Sequence, residues 1–148
     1  NCFGKRRRIS ITGKSTKESV MNLSDLVKSN RQIIQFVNDW PGKDQPFHIK
    51  KNLELTKYIG TLDIATSRFN TILLRLSEHP IMKEQFANDV AKCNLIIKKF
   101  FVNTIRLKTW PKAIKPFIRW RLHRIGTKQI PKIKLTLKNV IDTVDGTH

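Results

Sequence analysis

Cationic side chains that alternate with aromatic rings are the residues of this chain with the clearest chemistry. They lie in the tract Lys108-Thr-Trp-Pro-Lys-Ala-Ile-Lys-Pro-Phe-Ile-Arg-Trp-Arg-Leu-His-Arg124. Lysine and arginine donate hydrogen bonds to phosphate oxygens, and one guanidinium can bind two oxygens at once. A neighbouring indole ring can stack on a nucleobase or on a guanidinium group. The tract is therefore a candidate site for binding a polyanion.

Charge is strongly segregated around this tract. Residues 90–141 include 14 Lys or Arg and no Asp or Glu, and the chain of 148 residues has a formal net charge of +18. A surface without carboxylates cannot neutralise its own charge, so we expect an anionic partner to do so. Nucleic acid, an anionic membrane and an acidic protein all fit this charge.

The spacing of the cations predicts where the anion would bind. On a helix, the side chains at 112, 115, 119 and 123 would succeed one another at three- and four-residue intervals and form one cationic face. The residues expected to bind anions are Lys108, Lys112, Lys115, Arg119, Arg121 and Arg124, together with Arg6, Arg7 and Arg8 near the N-terminus. For the rings of Trp110, Phe117 and Trp120, packing into a core is the favoured interpretation. Stacking, above all by Trp110 and Trp120, is the alternative.

Catalytic and metal-binding signatures do not accompany the basic tract. The sequence has no glycine-rich phosphate loop, no paired Cys or His motif and no nucleophile elbow, and its four histidines are scattered. We therefore expect a protein that is not an enzyme and has no catalytic residue, metal site or cofactor. Cys2 and Cys93 have no metal spacing and predict separate thiols in a reducing, intracellular compartment.

Apolar residues recur at helical spacing through most of the chain, which predicts a mainly α fold. The stripes indicate a helix over about 16–39, one long helix or two separated near Gly60 over about 49–77, and a third over 82–105. Residues 40–46 have two prolines and a glycine and predict a loop. A fourth helix would end at Ile125 with Gly126 as its C-cap. The expected architecture is a compact antiparallel bundle of about four helices.

Both termini depart from this helical pattern. Lys132-Ile-Lys-Leu-Thr-Leu-Lys138 alternates strictly between polar and apolar residues, which predicts a β-strand, and residues 8–12 alternate more weakly. The two segments could pair as a short two-stranded β ribbon. The predicted organisation is a basic N-terminal arm at 1–14, a helical bundle domain at 15–126 and a basic, strand-like C-terminal segment at 127–148.

Three short segments resemble motifs of cytochromes P450. Gly60-Thr-Leu-Asp63 followed by Leu76-Ser-Glu-His79-Pro80 resembles the oxygen-binding helix and the turn after it, and Asn103-Thr-Ile-Arg106 is similar to the Glu-x-x-Arg helix with Asn in place of Glu. The haem-ligating cysteine loop of that family has no counterpart here. The tract 110–116 matches another part of the family in an incompatible register. The resemblance implies at most a decayed P450-like fragment, without haem.

The leading hypothesis is a non-enzymatic, structural polyanion-binding protein that contacts RNA or DNA phosphates, of ribonucleoprotein or nucleocapsid type. The alternative is a peripheral membrane protein of viral-matrix type, whose basic face docks on anionic lipid at the inner face of a membrane or within a virion. A Met-Gly pair before Asn1 would favour that alternative, because it would create a myristoylation signal beside Cys2 and a basic cluster. An acidic protein and a second copy of the chain are further candidate partners.

Overall fold

The computed structural model describes residues 22–40 and 53–146, and these residues are mainly helical. The helices are α1 (Leu23–Asn38), α2 (Leu53–Glu78), α3 (Pro80–Gln85), α4 (Ala87–Thr109), α5 (Lys115–Arg124) and α6 (Ile130–Asp145). A five-residue π-helical turn, Ile125–Gln129, joins α5 to α6. The predicted mainly α bundle is confirmed. The N-terminal arm, including Arg6, Arg7 and Arg8, lies outside the described residues.

Helix α2 is the central element of the bundle, since α1, α4 and α6 all pack against it. It runs unbroken through the exposed Gly60, so the interpretation as one long helix is correct. Its buried side chains recur every three or four residues, as an α-helix with one core-facing stripe requires. They are Leu55, Ile59, Leu62, Ala65, Phe69, Ile72, Leu73 and Leu76.

Helix α1 lies within the helix predicted at 16–39, of which residues 16–21 lie outside the described part of the chain. Asn22 has an extended backbone (φ −95°, ψ 95°), and its side-chain oxygen accepts a hydrogen bond from the backbone N–H of Asp25 at 3.2 Å. This N-cap satisfies one of the free amides of the first turn, so the helix starts at Leu23. Of the predicted loop at 40–46, the structure describes only Trp40, which follows the helix.

The third predicted stripe, 82–105, forms two helices instead of one. The chain turns at Phe86 between α3 and α4, and this turn places the Phe86 ring in the core. Helix α4 then continues to Thr109. Trp110 leaves the helical conformation (φ −83°, ψ 160°) because the following Pro111 disfavours helical backbone at the residue before it.

The strand prediction for 132–138 is wrong, because this segment lies within α6. The seven alternating residues belong to a longer stripe of helical period, whose buried members are Ile130, Ile133, Thr136, Val140 and Val144. Leu135, which a strand would place beside Ile133, lies on the outer side of the helix. No strand occurs within 22–40 or 53–146, so the ribbon has no support there. The strand-like character assigned to 127–148 is wrong for its described part, 127–146, for the same reason.

The predicted helix end at Gly126 is also wrong. The chain passes through Gly126 in the π-helical turn and continues into α6, with Pro131 in the first turn of that helix. A proline cannot donate to the carbonyl four residues before it and crowds that carbonyl, and a wider turn relieves the crowding. The Thr127 hydroxyl donates to the His123 carbonyl at 2.8 Å, which satisfies an acceptor at this irregular point.

Candidate polyanion-binding site

Helix α5 packs against the bundle by a narrow apolar side and leaves its aromatic residues in solvent. Ile118 and Leu122 are buried, whereas the side chains of Phe117 and Trp120 are 56% and 54% exposed. The favoured interpretation that these rings pack into the core is therefore wrong. The reason is geometric, since positions 118 and 122 already occupy the core-facing side of the helix and positions 117 and 120 project from it.

The exposed rings of α5 are paired with arginines one helical turn further on. The guanidinium carbon of Arg121 lies 5.6 Å from the ring centre of Phe117, and that of Arg124 lies 5.5 Å from Trp120. The two rings stack on each other, with centres 6.2 Å apart and planes inclined by 26°. We name these four residues the arginine–aromatic cluster. Cation–π attraction at these distances holds each guanidinium beside a ring.

Arg121 is the more firmly embedded arginine of the cluster. Its Nε is buried and has no hydrogen-bond partner within the described residues. Within the described residues, the contact that orients this guanidinium is the one with the Phe117 ring. Arg124 is exposed. Within the part of the chain that the structure describes, ion pairs are formed by Arg119 with Glu54 and by Lys138 with Asp142, and neither includes an arginine of the cluster.

The cationic face predicted from residues 112, 115, 119 and 123 is only partly formed. Lys112 lies in the turn before α5, so it is not on the helix. Arg119 lies on the flank of α5 nearer α2, and its Nε is 2.9 Å and 2.7 Å from the two carboxylate oxygens of Glu54. Hydrogen bonding to Glu54 and the charge of that carboxylate raise the pKa of Arg119 above its ordinary value. Arg119 is therefore a cation that already has an anion.

Two further cation–aromatic contacts lie near the C-terminal end of α4. The Lys108 ammonium is 5.2 Å from the centre of the Trp40 ring, and the Arg106 guanidinium is 4.9 Å from the Trp110 ring. Trp110 is 39% exposed, so it too lies outside the core. Helix α4 and the turn after it thus extend the cation–aromatic surface beyond α5.

Arg106 and Glu54 were not among the predicted site residues, and Phe117 was named only for stacking, not as a partner of an arginine. Four-residue spacing connects arginine and ring in the pairs Arg106–Trp110, Phe117–Arg121 and Trp120–Arg124. That spacing was readable in the sequence, because residues four apart meet on a helix. Glu54 lies 65 positions before Arg119, and no local pattern connects the two.

The described residues were also compared with the requirements of a metal site, a membrane span and the P450 motifs. Within 22–40 and 53–146, no three His, Cys, Asp or Glu side chains form a group that could hold a metal ion. No described helix is long and apolar enough to cross a bilayer. Of the segments that resemble P450 motifs, 60–63 lies within α2 and 103–106 within α4. Asn103 is buried, and its amide donates to the carbonyl of Lys99 in its own helix at 2.8 Å.

Comparison with known proteins identified no relative of this chain. The chain matches no protein-family model, and no curated protein or solved structure is significantly similar to it.

Proposed function

We propose that this protein is a non-enzymatic binder of single-stranded nucleic acid, RNA in the first place, that acts as a structural component of a ribonucleoprotein or nucleocapsid. The arginine–aromatic cluster of α5 is the observation that carries the proposal. Phosphate oxygens bind the guanidinium donors of Arg121 and Arg124, and unpaired bases stack on Phe117 or Trp120. Such binding follows the backbone of the strand and tolerates any sequence.

The charge distribution supports the same proposal. The cluster lies within the stretch 90–141, which has no carboxylate of its own. Lys112, Lys128, Lys132 and Lys134 are exposed along the same stretch and extend the positive surface. Binding through such a surface releases counterions from the nucleic acid, so affinity should fall steeply as salt rises.

A direct test measures binding of a short single-stranded RNA and of vesicles with and without anionic lipid. We expect wild type to bind the RNA, and Arg121→Glu/Arg124→Glu to lose at least tenfold in affinity, since charge reversal repels phosphate where it was attracted. The matched control is Lys28→Glu/Arg31→Glu, which makes the same charge change on exposed residues of α1. An equal loss in both variants would contradict a role for the cluster.

Membrane binding of viral-matrix type is the second candidate, and the exposed apolar residues of this region favour it. Ile114, Phe117 and Trp120 are exposed beside lysines and arginines. Aromatic and aliphatic side chains with basic neighbours can enter the interfacial layer of an anionic leaflet. Vesicle binding that needs anionic lipid and is lost in Phe117→Ala/Trp120→Ala, with RNA ignored, would replace the nucleic-acid proposal by this one.

A further inference from the structure

A small pocket lies on the flank of α5 that faces α2, away from the arginine–aromatic cluster. Its volume is about 170 Å³. This size fits one heterocyclic ring better than a whole nucleotide. The pocket is lined by residues of α2, α4, α5 and the π-helical turn, among them Lys57, Tyr58, Phe100, Leu122, His123 and Gly126.

The lining combines an apolar floor with a polar rim. Phe100 and Leu122 are buried beneath the pocket, and the Tyr58 ring meets Phe100 edge to face at 6.0 Å between centres. Lys57 and His123 are exposed at the rim. A tyrosine phenol is a neutral hydrogen-bond donor at neutral pH, and burial and the charge of Glu54 raise the pKa of the Tyr58 phenol further above its ordinary 10.0. A planar heterocycle has the complementary character, with apolar faces and polar edges.

A glycine of the π-helical turn borders the pocket. Gly126 lies in the π-helical turn and has no side chain, and a Cβ built there would lie 3.6 Å from the Phe100 ring. Any larger residue would therefore extend into the pocket. π-helical turns are often found at functional sites, and this one contributes Gly126 and Thr127 to the lining.

We infer that this pocket holds a single nucleobase of a bound single strand, while Lys57 at its rim binds the adjoining phosphate. The inference rests on the proposed function and adds a site to it. Charge complementarity favours this occupant, because the exposed Lys57 lies at the rim with its ammonium 5.9 Å from the centre of the Tyr58 ring, where it can bind the phosphate next to the base. A base that enters the pocket contacts aromatic side chains, whereas its sugar and phosphate remain outside.

Tyr58 is the only tyrosine of the chain, so it offers a reporter within the pocket. With the tyrosine ring labelled by ¹³C, the full chain is titrated with a single-stranded RNA and with an abasic strand of equal length and charge. We expect the RNA to shift the Tyr58 ring signals and the abasic strand to bind without that shift. Unchanged Tyr58 signals at saturating RNA, or equal shifts with both strands, would overturn the inference.

Filling the pocket provides the second arm. Gly126→Val should abolish the Tyr58 shift and weaken RNA binding roughly tenfold, within the range of one stacked base, but leave the abasic strand bound as before. Gly126→Ala, whose Cβ makes only an ordinary contact, should give a smaller loss and serves if the valine variant does not fold. Gly60→Ala is the matched control, since that position is exposed with nothing within 4 Å.

Together, the titration and the Gly126 variants distinguish failure of the pocket inference from failure of the proposed function. If wild type binds both strands and Gly126→Val and Gly126→Ala bind RNA as tightly as Gly60→Ala, the pocket is refuted and polyanion binding stands. If wild type binds neither strand, the proposed function fails and the pocket fails with it.

Discussion

Arg119 and Arg124 lie on the same helix yet differ in what they can offer a ligand. Arg119 is paired with Glu54, with both carboxylate oxygens within hydrogen-bonding distance of its Nε. Arg124 lies over the Trp120 ring instead. A guanidinium that must leave a carboxylate contributes less net binding energy than one that is held beside a ring. The surroundings of each arginine, and not its residue type, therefore decide its contribution.

Removing the carboxylate should release Arg119. We expect Glu54→Gln to increase affinity for single-stranded RNA several-fold, because the substitution removes a competing anion and a local negative charge. The thermal midpoint should change little, since an exposed ion pair contributes little to stability. Fluorescence anisotropy with labelled RNA measures the effect, and Glu84→Gln on α3 is the matched control. An unchanged affinity in Glu54→Gln would show that Arg119 takes no part in binding.

Cys93 provides a prediction on pH. It is a buried free thiol, and burial raises its pKa above the ordinary 9.0. The pKa of this thiol is higher in the folded protein than in the unfolded chain, so the folded state holds the proton more tightly. The resulting stabilisation is complete below pH 9.0 and is lost as the pH rises through the pKa of the folded state. In a Cys2→Ser background, urea unfolding should show stability falling above pH 9.0 more steeply than in Cys2→Ser/Cys93→Ala. Parallel pH profiles of the two proteins would contradict this.

At the scale of helices, α6 shows why a short window misled the prediction. Over seven residues, 132–138 alternates as a strand would, but over 130–144 the buried positions recur every three or four residues. An apolar stripe that continues for four turns favours a helix, because α6 must present one continuous apolar face to α2 and α4.

A pair of alanine substitutions tests the helix assignment. Ile133 is buried and Leu135 is 58% exposed, so Ile133→Ala should cost about 2–5 kcal/mol of unfolding free energy and Leu135→Ala no more than about 0.5 kcal/mol. Urea unfolding measures both. In a strand the two side chains would share one face, so similar costs for both substitutions would contradict the helix.

The stripes of α1, α2 and α4 were predictable because their apolar spacing persists over many turns. The turn at Phe86 and the π-helical turn at Gly126 were not predicted. The first places the Phe86 ring in a core built from several helices, and the second replaces the break that Gly126 suggested with a wider turn before Pro131. The arginine–aromatic pairs were predictable only in part. Their four-residue spacing is local, but whether Phe117 and Trp120 face solvent depends on Ile118 and Leu122 having taken the core side.

Across the whole molecule, positive charge is concentrated on the helices that follow Val90. The stretch 90–141 forms most of α4, all of α5 and most of α6, and its exposed lysines and arginines cover their outer faces. The helices bury their apolar stripes in the core, so their lysines and arginines lie on the surface, where an anionic partner can bind. The arginine–aromatic cluster is where those cations are combined with exposed rings.

The most direct test of this account is the salt dependence of single-stranded RNA binding in wild type, in Arg121→Gln/Arg124→Gln and in the control Lys28→Gln/Arg31→Gln. Each lost phosphate contact should reduce the slope of log K against log salt by about 0.7. We therefore predict a slope smaller by about 1.4 in the cluster variant and an unchanged slope in the control. A slope that is the same in all three proteins, or that falls equally in both variants, would contradict phosphate binding by the cluster.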